Sequence, residues 1–275
     1  MAENPLGKST AYVSEYSPGL LYPIARNDKR QELNALFLKF SGVDIWNAYE
    51  LSWLNPKGLP QVALGEIRIA ADTPNIIESK SLKLYLNSLN QTRFDSWQKV
   101  QDVIVKDLSE AAQGSVELKL YRPEEADELQ VEKLCGELLD SQDIEVGCYE
   151  YSPELLTAAI GTPPVEEILV SHLLKSNCLI TNQPDWASVQ IRYQGPKIDR
   201  EALLRYIISF RSHNEFHEQC VERMFCDLKQ YCRPQKLSIY ARYTRRGGLD
   251  INPYRSDFSD IENEDKVANT RLIRQ

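Results

Sequence analysis

With 275 residues and 42% apolar content, the chain suits one large domain or two of ordinary size around a real core. A formal net charge of −8 argues against a nucleic-acid surface, since phosphate binding needs concentrated Lys and Arg, so no direct nucleic-acid partner is expected. Free nucleotides stay open as ligands, because a local basic patch serves them. The start, Met1-Ala2-Glu3-Asn4-Pro5, has no basic segment leading into an apolar run, and no stretch approaches the ~18 apolar residues of a membrane span. A cytoplasmic protein away from membranes is therefore expected. The six cysteines, Cys135, Cys148, Cys178, Cys220, Cys226 and Cys232, form no C-x-x-C pair and read as reduced thiols.

Residues 1–40 are rich in turn formers, with one short helix expected near Gln31–Lys39. Asp44–Leu54 is dense in aromatic and aliphatic residues and meets the turn signal Asn55-Pro56-Lys57-Gly58. Gln61–Ala70 alternates, Val62 and Leu64 in one phase and Ile67 and Ile69 in the other, and a β-bulge at Gly65-Glu66 would produce that flip. Leu82, Tyr85, Leu86 and Leu89 share a helical face, with Ser79 or Ser81 as the expected cap. A second helix starts at about Ser96 with Trp97, Val100, Ile104, Leu108 and Ala111 inward and ends at Gly114. Ser115–Tyr121 then alternates as a strand.

From Arg122 to about Val165 the chain is acidic and irregular, as in Glu124-Glu125-Ala126-Asp127-Glu128, and reads as a connection. In the second half Ala187, Val189, Ile191 and Tyr193 alternate as a strand. Helices follow around Leu203–Ile208 and Phe216–Tyr231, and Leu237–Tyr243 alternates as a closing strand. Thr244–Pro253 reads as a basic, glycine-containing loop, and Ser256–Lys266 as an acidic surface segment. Each half thus reads strand, helix, helix, strand, an architectural repeat that implies two similar α+β modules.

Four groups of residues bear chemistry. Cys178 ends an apolar run, and Asp185 stands at the mouth of a new strand beyond a turn broken by Pro184. A thiolate held near a carboxyl group suits covalent catalysis, although a lone cysteine is as readily core filler. In His213–Cys220 the plain reading is a polar helix start whose Glu residues complement the dipole. The sharper one is that Glu218 offers two oxygens to adjacent N–H donors of a guanine-like base. His213, His217 and Cys220 also admit a zinc site, without a firmly spaced partner pair. Glu78-Ser79-Lys80 with Lys83, and Arg245-Arg246-Gly247-Gly248, read either as solvated surface or as phosphate-binding groups.

Glu78-Ser79-Lys80-Ser81-Leu82-Lys83-Leu84-Tyr85 resembles the signature of the NADPH-dependent 7-cyano-7-deazaguanine reductases, nitrile reductases of queuosine biosynthesis. Ser176–Cys178 through Asp185-Trp186, Phe210–Glu218 and Tyr243–Asn252 look like the same family, in its long form. The resemblance implies an α+β chain of two tandem tunnelling-fold (T-fold) modules, residues 1–135 and 136–275, with antiparallel sheets and paired helices on one face. It implies that Cys178 attacks the nitrile carbon to give a thioimide and that Asp185 protonates the nitrogen. It also implies that Ile77, Glu78, Ser79, His217 and Glu218 hold the deazapurine, that Ser79, Lys80, Arg246 and Gly247 contact NADPH, and that no metal takes part. NADPH would be held without the G-x-G-x-x-G fingerprint. Family members of this length imply a homodimer with sites where modules meet. The alternatives are a zinc-dependent pterin or purine-ring hydrolase on the same fold, with Cys178, His217 and Cys220 as ligands, and a binding protein for a purine-like base.

Overall fold

The computed structural model describes residues 13–125, 130–258 and 267–275. The first half contains β1 (Pro23–Ala25), α1 (Arg26–Arg30), β2 (Ser41–Leu54), β3 (Pro60–Ala70), β4 (Asn75–Ile77), α2 (Ser79–Ser88), α3 (Trp97–Ala112) and β5 (Val116–Tyr121). The second contains β6 (Glu137–Leu138), β7 (Val165–Asn177), β8 (Pro184–Gly195), α4 (Arg200–Ser209), α5 (His217–Tyr231), β9 (Lys236–Tyr243) and β10 (Leu249–Ser256). The protein is mixed α+β and divides into two compact units. One holds the described residues up to Asp28, with Asp44–Gln130 and Arg245–Ile251; the other holds Lys29–Val43, Val131–Thr244 and Asn252–Gln275. Among the described residues no helix is long and apolar enough to cross a membrane.

In the first unit β2, β3 and β5 lie side by side, β3 pairing with β5 antiparallel from Leu64↔Tyr121 to Ile69↔Val116. The turn after β2 closes as its residues dictate: Asn55 N–H donates to Leu59 O at 3.0 Å, and Gly58, at φ +86°, supplies the left-handed residue. One core joins the sheet residues Trp46, Leu51, Trp53 and Ile67 to Leu82, Tyr85, Val100, Ile104 and Leu108 of α2 and α3. The expected bulge at Gly65-Glu66 is absent, since the β3–β5 register runs through it unbroken. Ala63, Gly65, Ile67 and Ile69 share the inward phase, while Val62 is exposed. Gly65 hides this in the sequence because it is an inward position with no side chain. A Cβ there would meet Leu51 Cδ1 at 2.6 Å, so Leu51 occupies the space. The phase change lies instead on β2, whose core residues switch from Trp46 and Ala48 to Leu51 and Trp53.

In the second unit β9, β8 and β7 form an antiparallel sheet, with the two-residue β6 added parallel to β7 and the Tyr254–Ser256 end of β10 beside β9. Leu174, Val189, Ile191, Leu237, Ile239 and Ala241 face Leu203, Leu204, Ile207, Val221, Met224 and Leu228 of α4 and α5 in one core. The strand-helix-helix-strand reading of each half missed strands. β7 precedes β8, β2 precedes β3, and the expected loop 244–253 folds back into the fully buried β10. The reversal is a two-residue turn, Gly247 at φ +56° and Gly248 at +75°, the geometry that lets antiparallel strands reverse tightly.

Smaller corrections concern helix ends. The cap of α2 is Glu78 rather than Ser79 or Ser81, and α3 ends on Gln113 at φ +57° rather than on Gly114. The expected helix at Gln31–Lys39 is a single 3-10 turn, Ala35–Phe37, preceded by the one-turn α1. Ala126–Glu128 and most of the acidic segment Ser256–Lys266 lie outside the described residues.

One irregularity positions everything that follows. β7 and β8 pair as Leu169↔Ile191 and Ser171↔Val189, but then as Leu174↔Ala187 and Ser176↔Asp185, so β7 carries one extra residue at His172-Leu173. Side chains of a strand alternate between faces, and the bulge therefore moves the inward phase of β7 from odd to even numbers. Asp140 holds the kink: its carboxylate accepts from Ser171 Oγ at 2.6 Å and from His172 N–H at 2.8 Å.

Candidate active site

Cys178 is the first residue past β7, in a loop closed by hydrogen bonds from Cys178 N–H to Gln183 O at 2.8 Å and from Asn182 N–H to Cys178 O at 3.1 Å. The tight return needs a left-handed residue, and Asn182 takes φ +53°, which asparagine tolerates better than most side chains. Asn214 ties the loop from the side, its amide donating to Cys178 O at 3.1 Å and to Asn182 Oδ1 at 2.9 Å. Residues 213–215 run parallel to Asn177, with Asn177 N–H on His213 O at 2.8 Å and Glu215 N–H on Asn177 O at 3.1 Å. These bonds carry the start of α5 to the cysteine.

Asp185 pairs with Ser176, and the bond from Cys178 N–H to Gln183 O carries the pairing one step past β7, so by strand alternation Cys178 falls on the face of Ser176 and Asp185. Asp185 is 4% exposed and its Oδ2 lies 3.3 Å from Nε2 of His217, the first residue of α5. The His217 ring stacks on Tyr243 with centroids 3.7 Å apart and planes 5° apart. Glu218 follows, 3% exposed, in the first turn of α5, where a carboxylate is favoured by the helix dipole. The turn that delivers these residues is locked by Glu215. Its carboxylate accepts from Arg223 Nη2 at 2.7 Å and Nε at 2.9 Å and from the His213 ring at 3.0 Å. Burial works to raise the Glu215 carboxyl, but His213 and the Arg223 guanidinium outweigh it and hold it below its ordinary value.

The other cysteines are unsuited to nucleophilic work or stand elsewhere. Burial pushes the thiols of Cys220, Cys226 and Cys232 up to about 12, which keeps them protonated, whereas Cys178 is only half-buried. His213 precedes α5 with extended backbone, so His213 and His217 do not share a helix face as the zinc reading required. Among the described residues no group of three His, Cys, Asp or Glu side chains is arranged to hold a metal.

The first unit carries a separate set. Both oxygens of Glu78 cap α2, accepting from Lys80 N–H and Ser81 N–H at 2.7 Å each. Burial raises its pKa, opposed by those two N–H groups and by Lys83 and Lys80. Ile77 has its side chain in the core, and Ser79 and Lys80 open the helix half-buried. Beside them is a cavity of about 420 Å³ lined by Glu50, Lys80, Lys83, Asn87, Gly247 and Gly248 among others. The Gly247-Gly248 turn brings bare backbone to its rim, and a Cβ on Gly247 would stand 3.2 Å from Lys83 Nζ. Two ammonium groups beside exposed backbone suit phosphate, and the nearby Glu50 carboxylate suits sugar hydroxyls, so the donor set fits a phosphorylated nucleoside.

A family model described as "Nitrile reductase, 7-cyano-7-deazaguanine-reductase N-term" matches residues 12–120, and one described as "QueF-like protein" matches 184–260. Proteins named NADPH-dependent 7-cyano-7-deazaguanine reductase from Cupriavidus taiwanensis and Cupriavidus necator are each 60% identical over 259 residues, 93% of this chain and 94% of theirs. That of Ralstonia nicotianae is 56% identical over the same span. The chain belongs to the 7-cyano-7-deazaguanine reductase family. In this family member the structure brings Cys178, Asp185, His217 and Glu218 together in one unit, and Glu78, Ser79, Lys80, Arg246 and Gly247 in the other. Sequence reasoning missed Asn214, the Glu215–Arg223 pair, Tyr243 and the bulge clamp Asp140. Only Asn182-Gln183-Pro184 carried a legible signal, a turn; the rest act through contacts distant in sequence.

Proposed function

We propose that this chain reduces the nitrile of 7-cyano-7-deazaguanine to an aminomethyl group, with NADPH as reductant, through a thioimide on Cys178. The observation that carries the reading is the shared face of Cys178 and Asp185, with His217 on the acid. On one face of an antiparallel pair, diagonal neighbours lie about 7–8 Å apart, their Cβ atoms somewhat closer, within reach of one small electrophile. The sulfur adds to the nitrile carbon, one C–N π bond breaks, and the nitrogen takes its proton from Asp185. His217 Nε2, 3.3 Å away, is positioned to exchange a proton with it. NADPH, when bound, supplies hydride. Between the two hydride deliveries the C–S bond breaks and Cys178 returns as thiolate.

Glu218 and Glu78 are the carboxylates we assign to the base, and to the same role we assign Ile77, Ser79 and His217. A buried carboxylate accepts two adjacent N–H donors at once, the pattern a guanine-like edge presents. For NADPH we assign Ser79, Lys80, Arg246 and Gly247, with the Lys80 and Lys83 ammonium groups on phosphate. We read the chain as two tandem tunnelling-fold modules divided near residue 135, with Lys29–Val43 and Arg245–Ile251 each counted in the other unit. As for the rest of its family reading, it is a cytoplasmic homodimer that binds a free deazapurine and neither nucleic acid nor membrane. The test is incubation with 7-cyano-7-deazaguanine without NADPH, followed by peptide mass analysis. A substrate-mass adduct on the peptide containing Cys178 is expected. No adduct, together with no NADPH oxidation when both are supplied, would remove the reading.

A further inference from the structure

His217 has an unusual support. A histidine that must hold one ring nitrogen toward a partner is normally oriented by a hydrogen bond on the other nitrogen. Here Nδ1 is buried and makes no hydrogen bond, so nothing polar fixes the ring from behind. What fixes it is the parallel stack on Tyr243 at 3.7 Å. Tyr243 is fully buried at the end of β9, and burial holds its hydroxyl un-ionised. The position of its ring depends on its backbone.

That backbone is gripped from the C-terminal segment. Tyr243 N–H donates to Asn252 Oδ1 at 3.1 Å, and Tyr243 O accepts from Gln275 Nε2 at 2.9 Å. The same Gln275 nitrogen donates to Asn252 Oδ1 at 2.8 Å, closing a ring of three side-chain bonds around the backbone of one residue. Gln275 Oε1 is occupied as well, accepting from Arg242 Nε at 2.9 Å and from Leu272 N–H at 3.1 Å. Arg242, Asn252 and Gln275 are all buried. A surface tail has no need of a buried amide satisfied at both ends.

We propose that Gln275 and Tyr243 are positioning residues for the acid–base pair: the C-terminal segment sets Tyr243, Tyr243 sets the plane of His217, and His217 thereby meets Asp185. The proposal rests on the nitrile-reductase reading only for what the pair is used for; the positioning itself is a property of the ligand-free protein.

The decisive variant is Gln275→Glu. It keeps the acceptor for Arg242 and the shape of the side chain, and turns the donor to Tyr243 O and Asn252 Oδ1 into a carboxylate oxygen, so two bonds become two acceptor–acceptor repulsions. The expected result is a fall in kcat of about 100-fold with KM for both substrates within about threefold, the signature of a misplaced group rather than lost binding. Tyr243→Phe, which keeps the stack, should retain kcat within about threefold, and Tyr243→Leu should reproduce the Gln275→Glu defect. An activity-independent reading comes from the ring nitrogens of ¹⁵N-histidine-labelled protein, which has three histidines to assign. The His217 signals should shift in Gln275→Glu and Tyr243→Leu and stay in Tyr243→Phe. Unchanged His217 signals in Gln275→Glu, or full kcat there, would overturn the proposal. If the wild type itself did not reduce the nitrile, the function would fall and the nitrogen signals would still decide the positioning.

Discussion

The parity of β7 separates register from composition. Inserting one alanine between Lys175 and Ser176 leaves every proposed catalytic side chain in the sequence. It turns Ser176 and Cys178 to the opposite face of the sheet from Asp185, because a one-residue slip reverses every side chain beyond it. Thiol and acid then point away from each other, and one substrate cannot touch both. Losing the nucleophile and the acid together is expected to lower turnover by at least about ten-thousand-fold, about 5.4 kcal/mol of barrier at ~1.36 kcal/mol per tenfold. The converse variant deletes Leu173. The ladder then runs Ser171↔Val189, His172 opposite Ser188, and Leu174↔Ala187, with Cys178 still facing Asp185. What is lost is the bond from Leu173 N–H to Ser171 Oγ at 3.1 Å and a side chain already 40% exposed, together about 1–2 kcal/mol of stability. The assay is loss of NADPH absorbance with 7-cyano-7-deazaguanine, with circular dichroism to establish that each variant is folded. An active insertion variant, or a folded but inactive deletion variant, would refute the reading that thiol and acid work from one face of the ladder.

Two further outcomes are expected. Glu215→Ala leaves Arg223 buried without its principal acceptor and should cost about 3 kcal/mol, at the low end for a broken buried pair because Glu32 remains 3.3 Å from Arg223; urea unfolding measures it. The Glu215 carboxyl titrates below its ordinary 4.5 in the folded protein, so its contribution is complete above that value and is lost as pH falls through the folded pKa. Wild type should therefore lose stability faster than Glu215→Gln on acidification in that range, and parallel pH profiles would contradict the pairing. Glu78→Ala should remove the cap of α2 at a cost of about 1–2 kcal/mol, and should also raise KM for the deazapurine, separable by thermal unfolding and steady-state kinetics.

What could be read from the sequence follows from how local each signal is. The faces of α3 and α5, the strand Ala187–Tyr193 and the turn at Asn55–Gly58 depend on neighbours a few residues away, and they stand as expected. Gly65 misled because an empty inward position looks like a change of phase, and the real change on β2 was masked by a run of apolar residues on both faces. The first part of β10 was taken for a loop because the stretch Thr244–Pro253 is basic and contains glycines, and Asp250, Asn252 and Pro253 are poor strand formers; Asp250 is instead satisfied by Asn47 at 2.8 Å and Tyr49 at 2.7 Å. The proposed site was legible as residue types, Cys178, Asp185, His217 and Glu218. Its geometry was not, because the bulge, the Asn214 tie and the Tyr243 stack join positions tens of residues apart, and periodicity carries no information at that range.

Glu78 raises a question of double use, since it caps a helix and is also assigned to the base. A carboxylate has about four lone-pair sites on two oxygens, and the cap consumes one on each, at 2.7 Å. Ser79 Oγ also reaches Oε1, at 3.5 Å, the longest of the three contacts, so two parallel N–H donors find a site open on Oε2 and need displace only that serine hydroxyl on Oε1. The cap also fixes the plane of the carboxylate, so the side-chain entropy usually lost on binding is lost in folding instead. Serine or aspartate would cap the helix as well, but a hydroxyl offers no second acceptor oxygen and aspartate is one methylene too short to present both oxygens at the same place. Glu78→Asp should therefore spare the stability of α2 and still weaken deazapurine binding. If binding survives in Glu78→Asp while Glu218→Gln abolishes it, the base is held from the second unit alone, and the cap is all that Glu78 provides.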